Sequence, residues 1–333
     1  MNRSWQFDYL KAICICCIII THITYPTASP RNFLFPYFVD MAVPVFLIIS
    51  GYLNTQSCEK RNKTMPAAWF YPRPFLKKVI NIYLPFVIIW GIEIILIIVI
   101  QQEPMYFKDC IYGLLTGGRG PGSYYIPILL QFIIIFPLFY LLLNKNLIWG
   151  SLFILFLQVT LEIGTQWMQI PVSFYRLLIF RYFIFIWVGM MLYRYEEKLN
   201  SKMLLFFGIF GAAYIWVVVY SGYEPKIFRY WTGTSMPTAL WATSLVLILK
   251  RGLKRLPHPF NQIICTIGQS TYYIFLIQML YYAFGFDNKI NSIPMRIIIN
   301  IVVCCGGGIL FRFMEQKLRS LFALTFYQHK KTK

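Results

Sequence analysis

Apolar runs of roughly 17 to 24 residues follow one another along the whole chain, the length a helix needs to cross a hydrocarbon core of about 30 Å. Backbone N–H and C=O groups in lipid must be satisfied within their own segment, so each long run reads as a helix. The alternating pattern of an outer-membrane barrel is absent. Composition agrees: 58% of the residues are hydrophobic and 13% charged. A soluble domain carries about 25% charged residues, so the charge needed to cover a water-facing surface is missing. The pattern predicts an all-α, polytopic transmembrane bundle of about ten helices, near residues 8–25, 37–57, 79–101, 123–143, 147–164, 176–195, 203–222, 232–249, 263–286 and 293–313. Residues 1–333 are expected to form one integral membrane domain.

The net charge of +19 fits nucleic acid only if the basic residues gather on one surface, and they do not. With the N-terminus in the cytoplasm, the cytoplasmic segments hold 21 Lys and Arg, the outer loops hold seven, and three (Lys11, Arg181, Arg296) fall inside spans. That bias is the positive-inside rule. It places both termini in the cytoplasm and makes the basic face a partner for the anionic inner leaflet of the cell inner (plasma) membrane. The partner expected is the lipid bilayer and not nucleic acid. Six of the eight cysteines lie in apolar runs, Cys58 is cytoplasmic and Cys110 stands in an outer loop, so no disulfide framework is expected. No Cys/His spacing points to a metal. The first run carries Asp8, Lys11 and His22, and Pro30 sits awkwardly in the candidate cleavage stretch TASPR, so it reads as a retained helix and not a signal peptide.

No internal repeat is visible, which removes the inverted-repeat logic of many transporters. The longest cytoplasmic loop, 58–78, is basic and holds Pro66, Pro72 and Pro74, as expected of a segment hugging the membrane. The longest outer loop, 102–122, ends in TGGRGPGS. It lacks the Lys-Ser/Thr of a phosphate-binding loop and has no strand before it, so it reads as a flexible loop covering an outer cleft.

Ionisable groups at membrane depth are costly, and each is a candidate functional residue. Lys11 and His22 are eleven residues apart, which puts them on one face of the first span with an axial separation of about 16 Å. Asp8 belongs to the same stripe, and as an interfacial pair Asp8–Lys11 has a purely structural reading as well. In aliphatic surroundings His22 is expected neutral, the state needed in a general base or nucleophile. Asp40 opens the second span, either as a carboxylate complementing the helix dipole or as a group that orients the imidazole or a substrate hydroxyl. Pro44 and the Ser50-Gly51 pair in the same span mark a kink or a close helix contact. Glu93 and Glu162 are further buried carboxylates. Gln131, Gln158 and Gln278 read as interhelical hydrogen bonders.

These residues stand in an ordered set of motifs: FDYLKA…IIITH, VDMAVPVFLIISGYL, GSYYIPILLQFIIIFPL, FRYFIFIWVGMMLY, STYYIFLIQMLYY and FRFMEQKLRSL. In that order, over nearly the whole chain, the set resembles the integral membrane acyltransferases of acyltransferase family 3, which acylate extracytoplasmic sugars. The flavour is that of members from poly-N-acetylglucosamine and capsule pathways. The pattern of a basic residue, ten positions and then His is met by Lys11 and His22. Two departures stand out. The family's Arg-x-x-Arg before the Pro of the third span is met here by Lys78 and Asn81 before Pro85, with one basic residue. Gln278 stands where the family often has His.

The resemblance implies transfer of an acyl group, most simply acetyl, from a cytoplasmic acyl-CoA (acetyl-CoA) to a hydroxyl of a cell-envelope polysaccharide or lipid-linked glycan, without a metal. It makes His22 and Asp40 the candidate catalytic residues. Lys11, Lys78 and Arg181 become the candidate donor-binding groups at the inner end, although the sixth span enters from outside and leaves an outer position open to Arg181. The acceptor glycan is the expected partner, together with glycosyltransferases of its pathway. The competing reading is a transporter or flippase for a glycan or lipid-linked intermediate. A polymerase ranks third, because the longest outer loop holds only Lys108 and Arg119.

Overall fold

The computed structural model describes residues 4–23, 34–60, 72–228, 230–231, 233–289 and 292–331. Arg3, Arg31, Arg229, Lys333, the TASPR stretch and most of the first basic loop with Pro66 lie outside them. The protein is a bundle of helices, with no strand among the described residues. In chain order these are α1 (Trp5–Thr21), α2 (Phe35–Phe38), α3 (Ala42–Glu59), α4 (Pro72–Leu96), α5 (Phe107–Thr116), α6 (Tyr125–Lys145), α7 (Leu147–Trp167), α8 (Val172–Tyr175), α9 (Phe183–Tyr195), α10 (Ser201–Ile215), α11 (Thr238–Gly252), α12 (His258–Gln269), α13 (Thr271–Ala283) and α14 (Ile293–Lys331).

Each of the ten expected spans falls on a helical segment. Among the described residues, six helices have the length and apolar character to cross a membrane, and a seventh is added if the bent pair α12–α13 counts as one. The shorter segments α1, α9 and α11 are interior elements. Buried Leu10, Ile15 and Ile19 place α1 inside the bundle, against α3, α11, α12, α13 and α14. α3 packs along much of α9. A β-carbon at Gly51 would lie 2.5 Å from the Ile186 carbonyl oxygen, and one at Gly189 would lie 2.1 Å from that of Ile48. The Ser50-Gly51 pair therefore marks a close helix contact of the small-residue kind, with a second glycine facing it.

Hydrogen bonds define the two ends of the bundle. At one end, Arg194 of α9 reaches Glu59 of α3 and Asn144 of α6, and Lys250 of α11 pairs with Glu196. The carbonyls of Glu196 and Leu199 accept from Arg251. The loops and helix ends here are the basic ones, so this is called the basic end.

Three expectations change. The span expected at 263–286 is broken at Ser270, with α12 and α13 at 69° to one another. Asn261 accepts from the Tyr9 hydroxyl at 3.0 Å, and Gln269 Nε2 donates to Asp8 at 3.4 Å. Two groups eight residues apart on α12 thus meet adjacent residues of α1, so α12 crosses α1 at the basic end. Its exposed Phe260 and Ile263 against inward Asn261 and Gln269 make it amphipathic; the strongly apolar α13 hid that change in the sequence. Second, the outer segment 102–122 contains α5. The Asp109 carboxylate accepts the Tyr106 N–H at 3.3 Å at its start, and the Trp90 indole and Tyr83 hydroxyl of α4 donate to its carbonyls at Cys110 and Leu114, both at 3.2 Å. Third, the last helix continues past residue 313 to Lys331; 39 residues make about 58 Å, longer than the hydrocarbon core.

Candidate active site

α1 ends at Thr21, and His22 is its C-cap. Tyr282 of α13 fixes that end: its hydroxyl donates to the Ile19 carbonyl at 2.8 Å and accepts from Asn300 Nδ2 of α14 at 3.0 Å. The Tyr282 ring centre lies 6.0 Å from that of His22. On the other side of the imidazole stands the glycine-rich turn before α6. Gly122 has φ +86°, a conformation that glycine takes without strain, and a β-carbon there would lie 3.5 Å from His22 Nε2 and 3.1 Å from the Phe275 ring.

That turn is tied down rather than left as the flexible flap expected. Glu93, buried on α4, accepts the Arg119 N–H at 3.1 Å, and Gln278 of α13 donates to the Pro121 carbonyl at 3.4 Å. Arg119 itself pairs with Glu103 at 2.9 Å. Glu93 and Gln278 therefore act as braces for the loop that faces His22, each with one buried oxygen (Glu93 Oε2, Gln278 Oε1) left without a partner among the described residues. The tension is physical: a buried polar atom without a partner costs about 1–3 kcal/mol, and such atoms gather where function demands them.

His22 stands in the wall between two cavities. One, of about 360 Å³, is shared with Asp40, Tyr125, Tyr214 and apolar groups such as Val43 and Val218. The other, of about 870 Å³, is lined by Arg181, Tyr175, Tyr230, Arg176 and Glu224. His22, Gly122, Tyr124 and Thr234 belong to both linings. The imidazole is thus neither lipid-facing nor sealed among aliphatic side chains.

The predicted site residues separate into two groups. Asp40 lies in the turn between α2 and α3, one residue before the N-cap Met41 and outside the first helical turn. It lines the smaller cavity with His22 and makes no direct hydrogen bond to it among the described residues. Lys11 pairs with Asp8 at 2.9 Å at the basic end, away from both cavities. Lys78 is also at the basic end, on the first turns of α4. Close by, Arg319 Nη1 of α14 donates to Asn81 at 2.5 Å, and Arg319 also pairs with Glu315, which accepts from the Tyr273 hydroxyl. A guanidinium from the last helix therefore stands over the position where the motif lacks its second basic residue.

Arg181 is not part of that inner group. It sits in the 3-10 turn Ile179–Tyr182 before α9, whose far end carries Arg194 at the basic end. The chain enters this span from the opposite side, so Arg181 comes to the His22 cavity. Tyr282, Tyr124 and Gly122 were not foreseen as site residues, and Glu93 was foreseen only as a buried carboxylate. The Tyr-Tyr pair and the glycine run ahead of the fourth span were the signals available for two of them.

A family model described as an acyltransferase domain matches residues 4–312. No curated protein and no solved structure gives a significant match.

Proposed function

The chain belongs to the acyltransferase 3 family, multi-pass membrane acyltransferases, and from that premise we propose that it moves an acyl group, most simply acetyl, from cytoplasmic acyl-CoA to a hydroxyl of an extracytoplasmic envelope glycan or lipid-linked sugar. The protein would lie in the inner membrane, with its basic end in the cytoplasm. The observation that carries this reading is the place of His22. It stands at the end of α1 away from the basic loops, exposed to two cavities and braced by Tyr282 and the Gly122 turn.

In the reaction, neutral His22 takes the proton of the acceptor hydroxyl as its oxygen attacks the thioester carbonyl carbon. The C–O bond forms, the C–S bond breaks, and the sulfur leaves as the thiol with the proton that His22 gives up, which returns the imidazole to its neutral state. Asp40, across the smaller cavity, accepts a hydrogen bond from a substrate hydroxyl. Lys11 and Lys78, with Arg319 beside Asn81, supply cations for the anionic part of the donor. The donor has to be an extended molecule, because Lys11 and His22 are separated by about 16 Å along α1. An acyl-CoA meets that demand.

The test is mass spectrometry of envelope glycans from a deletion strain complemented with wild type or His22→Ala. A general base contributes about 10²- to 10⁴-fold, so His22→Ala should insert normally while the glycans lose one acetyl or succinyl mass per modified sugar. Near-normal acylation at normal expression would end the proposal. An unmodified polymer retained inside the cell would point to transport instead.

A further inference from the structure

We propose that the larger cavity beside His22 is an acceptor site built for a sugar that carries a negative charge, a carboxylate or a phosphate, held by Arg181. This rests on the reading of His22 as the base and names the acceptor class that the reading leaves open. The guanidinium of Arg181 lies 5.0 Å from the Tyr175 ring centre and 4.8 Å from that of Tyr182. The rings orient its plane and favour its charge, but they offer no in-plane acceptor to its N–H groups. A guanidinium has five such donors. The described residues meet one of them, through the Thr234 carbonyl at 3.4 Å from Nη2. Nε is buried and has no partner among them.

No carboxylate of the described residues forms an ion pair with Arg181. Glu162, close enough for its charge to be felt, instead accepts the Tyr175 hydroxyl at 2.6 Å. Removing a guanidinium from water is costly unless it is paired, and its fork matches carboxylate and phosphate oxygens. The lining as a whole agrees. Arg176, Arg181 and one carboxylate, Glu224, line the cavity together with tyrosine rings that offer flat faces to a sugar. A neutral sugar would fill the space and leave the guanidinium unpaired.

The experiment uses the full chain in lipid nanodiscs and measures binding of three oligosaccharides of equal length by calorimetry. They are a neutral N-acetylglucosamine oligomer, one with a uronic carboxylate and one with a sugar phosphate. Wild type should bind at least one charged oligomer about tenfold or more tighter than the neutral one, the scale of a charge-assisted hydrogen bond. The two charged arms separate carboxylate from phosphate. Arg181→Gln should bring the ratio to within about twofold, with Arg181→Lys between. Equal binding of neutral and charged oligomers by wild type, or a preference that survives in Arg181→Gln, overturns the proposal. Should Arg181→Gln not fold, salt decides on wild type alone: affinity for the charged oligomer must fall as sodium chloride rises, and a flat response overturns the proposal. His22→Ala should keep the preference while losing acyl transfer. A wild type that binds charged oligomers yet transfers no acyl group would refute the proposed transfer and leave this site standing.

Discussion

At the residue scale the candidate site turns on what holds one imidazole. The sequence singled out His22 by its spacing from Lys11, and the structure places the ring at the C-cap of α1, between two cavities. Its braces were beyond local pattern, because Tyr282 and Gly122 come from segments 260 and 100 positions away in the chain. Gly122 offers a direct check. At φ +86° a side chain is strained by roughly 1–2 kcal/mol, and its β-carbon would press on Phe275 at 3.1 Å and approach His22 Nε2. Gly122→Ala should lower turnover with insertion intact. Gly91→Ala, where nothing lies within 4 Å of the added carbon, should leave turnover and melting temperature unchanged. Equal turnover in the two variants, measured in detergent, would remove Gly122 from the site.

Elements in this bundle are paired by backbone approach. Lipid offers no hydrophobic drive between helices, so small residues that let backbones touch take on that task. Gly189 on α9 shows how tight the contact is, since a β-carbon there would lie 2.1 Å from the Ile48 carbonyl oxygen of α3. Overpacking costs about 1–3 kcal/mol or more. Gly189→Leu should therefore broaden or abolish the monodisperse peak in size-exclusion chromatography and lower the melting temperature. Gly164→Leu on α7, with open space around it, should behave as wild type. A Gly189→Leu protein of normal stability would mean that α3 and α9 do not meet as described. The broken span belongs to this scale too: Ile263, Ile264 and Ile267 supplied enough apolar weight to carry the ninth helix back through α12, and only the contacts of Asn261 and Gln269 with α1 reveal the crossing.

For the whole molecule, orientation decides which side each cavity faces. The bias of basic residues predicts a cytoplasmic basic end and an outer His22 cleft. In a background without native cysteines, Glu224→Cys, on the rim of the larger cavity, should react with a membrane-impermeant maleimide on whole cells. Arg255→Cys, in the exposed stretch before α12, should react only after permeabilisation. The reverse pattern would move the cleft to the cytoplasm and sink the acceptor reading with it.

Helix content, the approximate number of spans, the sidedness of charge and the eleven-residue step from Lys11 to His22 followed from sequence alone. Each depends on properties a chain carries locally: hydropathy over one bilayer thickness, the helical repeat, and where cations are left. The tertiary structure decided that Arg181 joins His22 and not Lys11, that Glu93 and Gln278 brace the glycine turn, and that Arg319 stands over Asn81. Those pairings are set by which helices pack side by side, and side-chain partners 26 to 238 positions apart leave no periodic trace in the sequence.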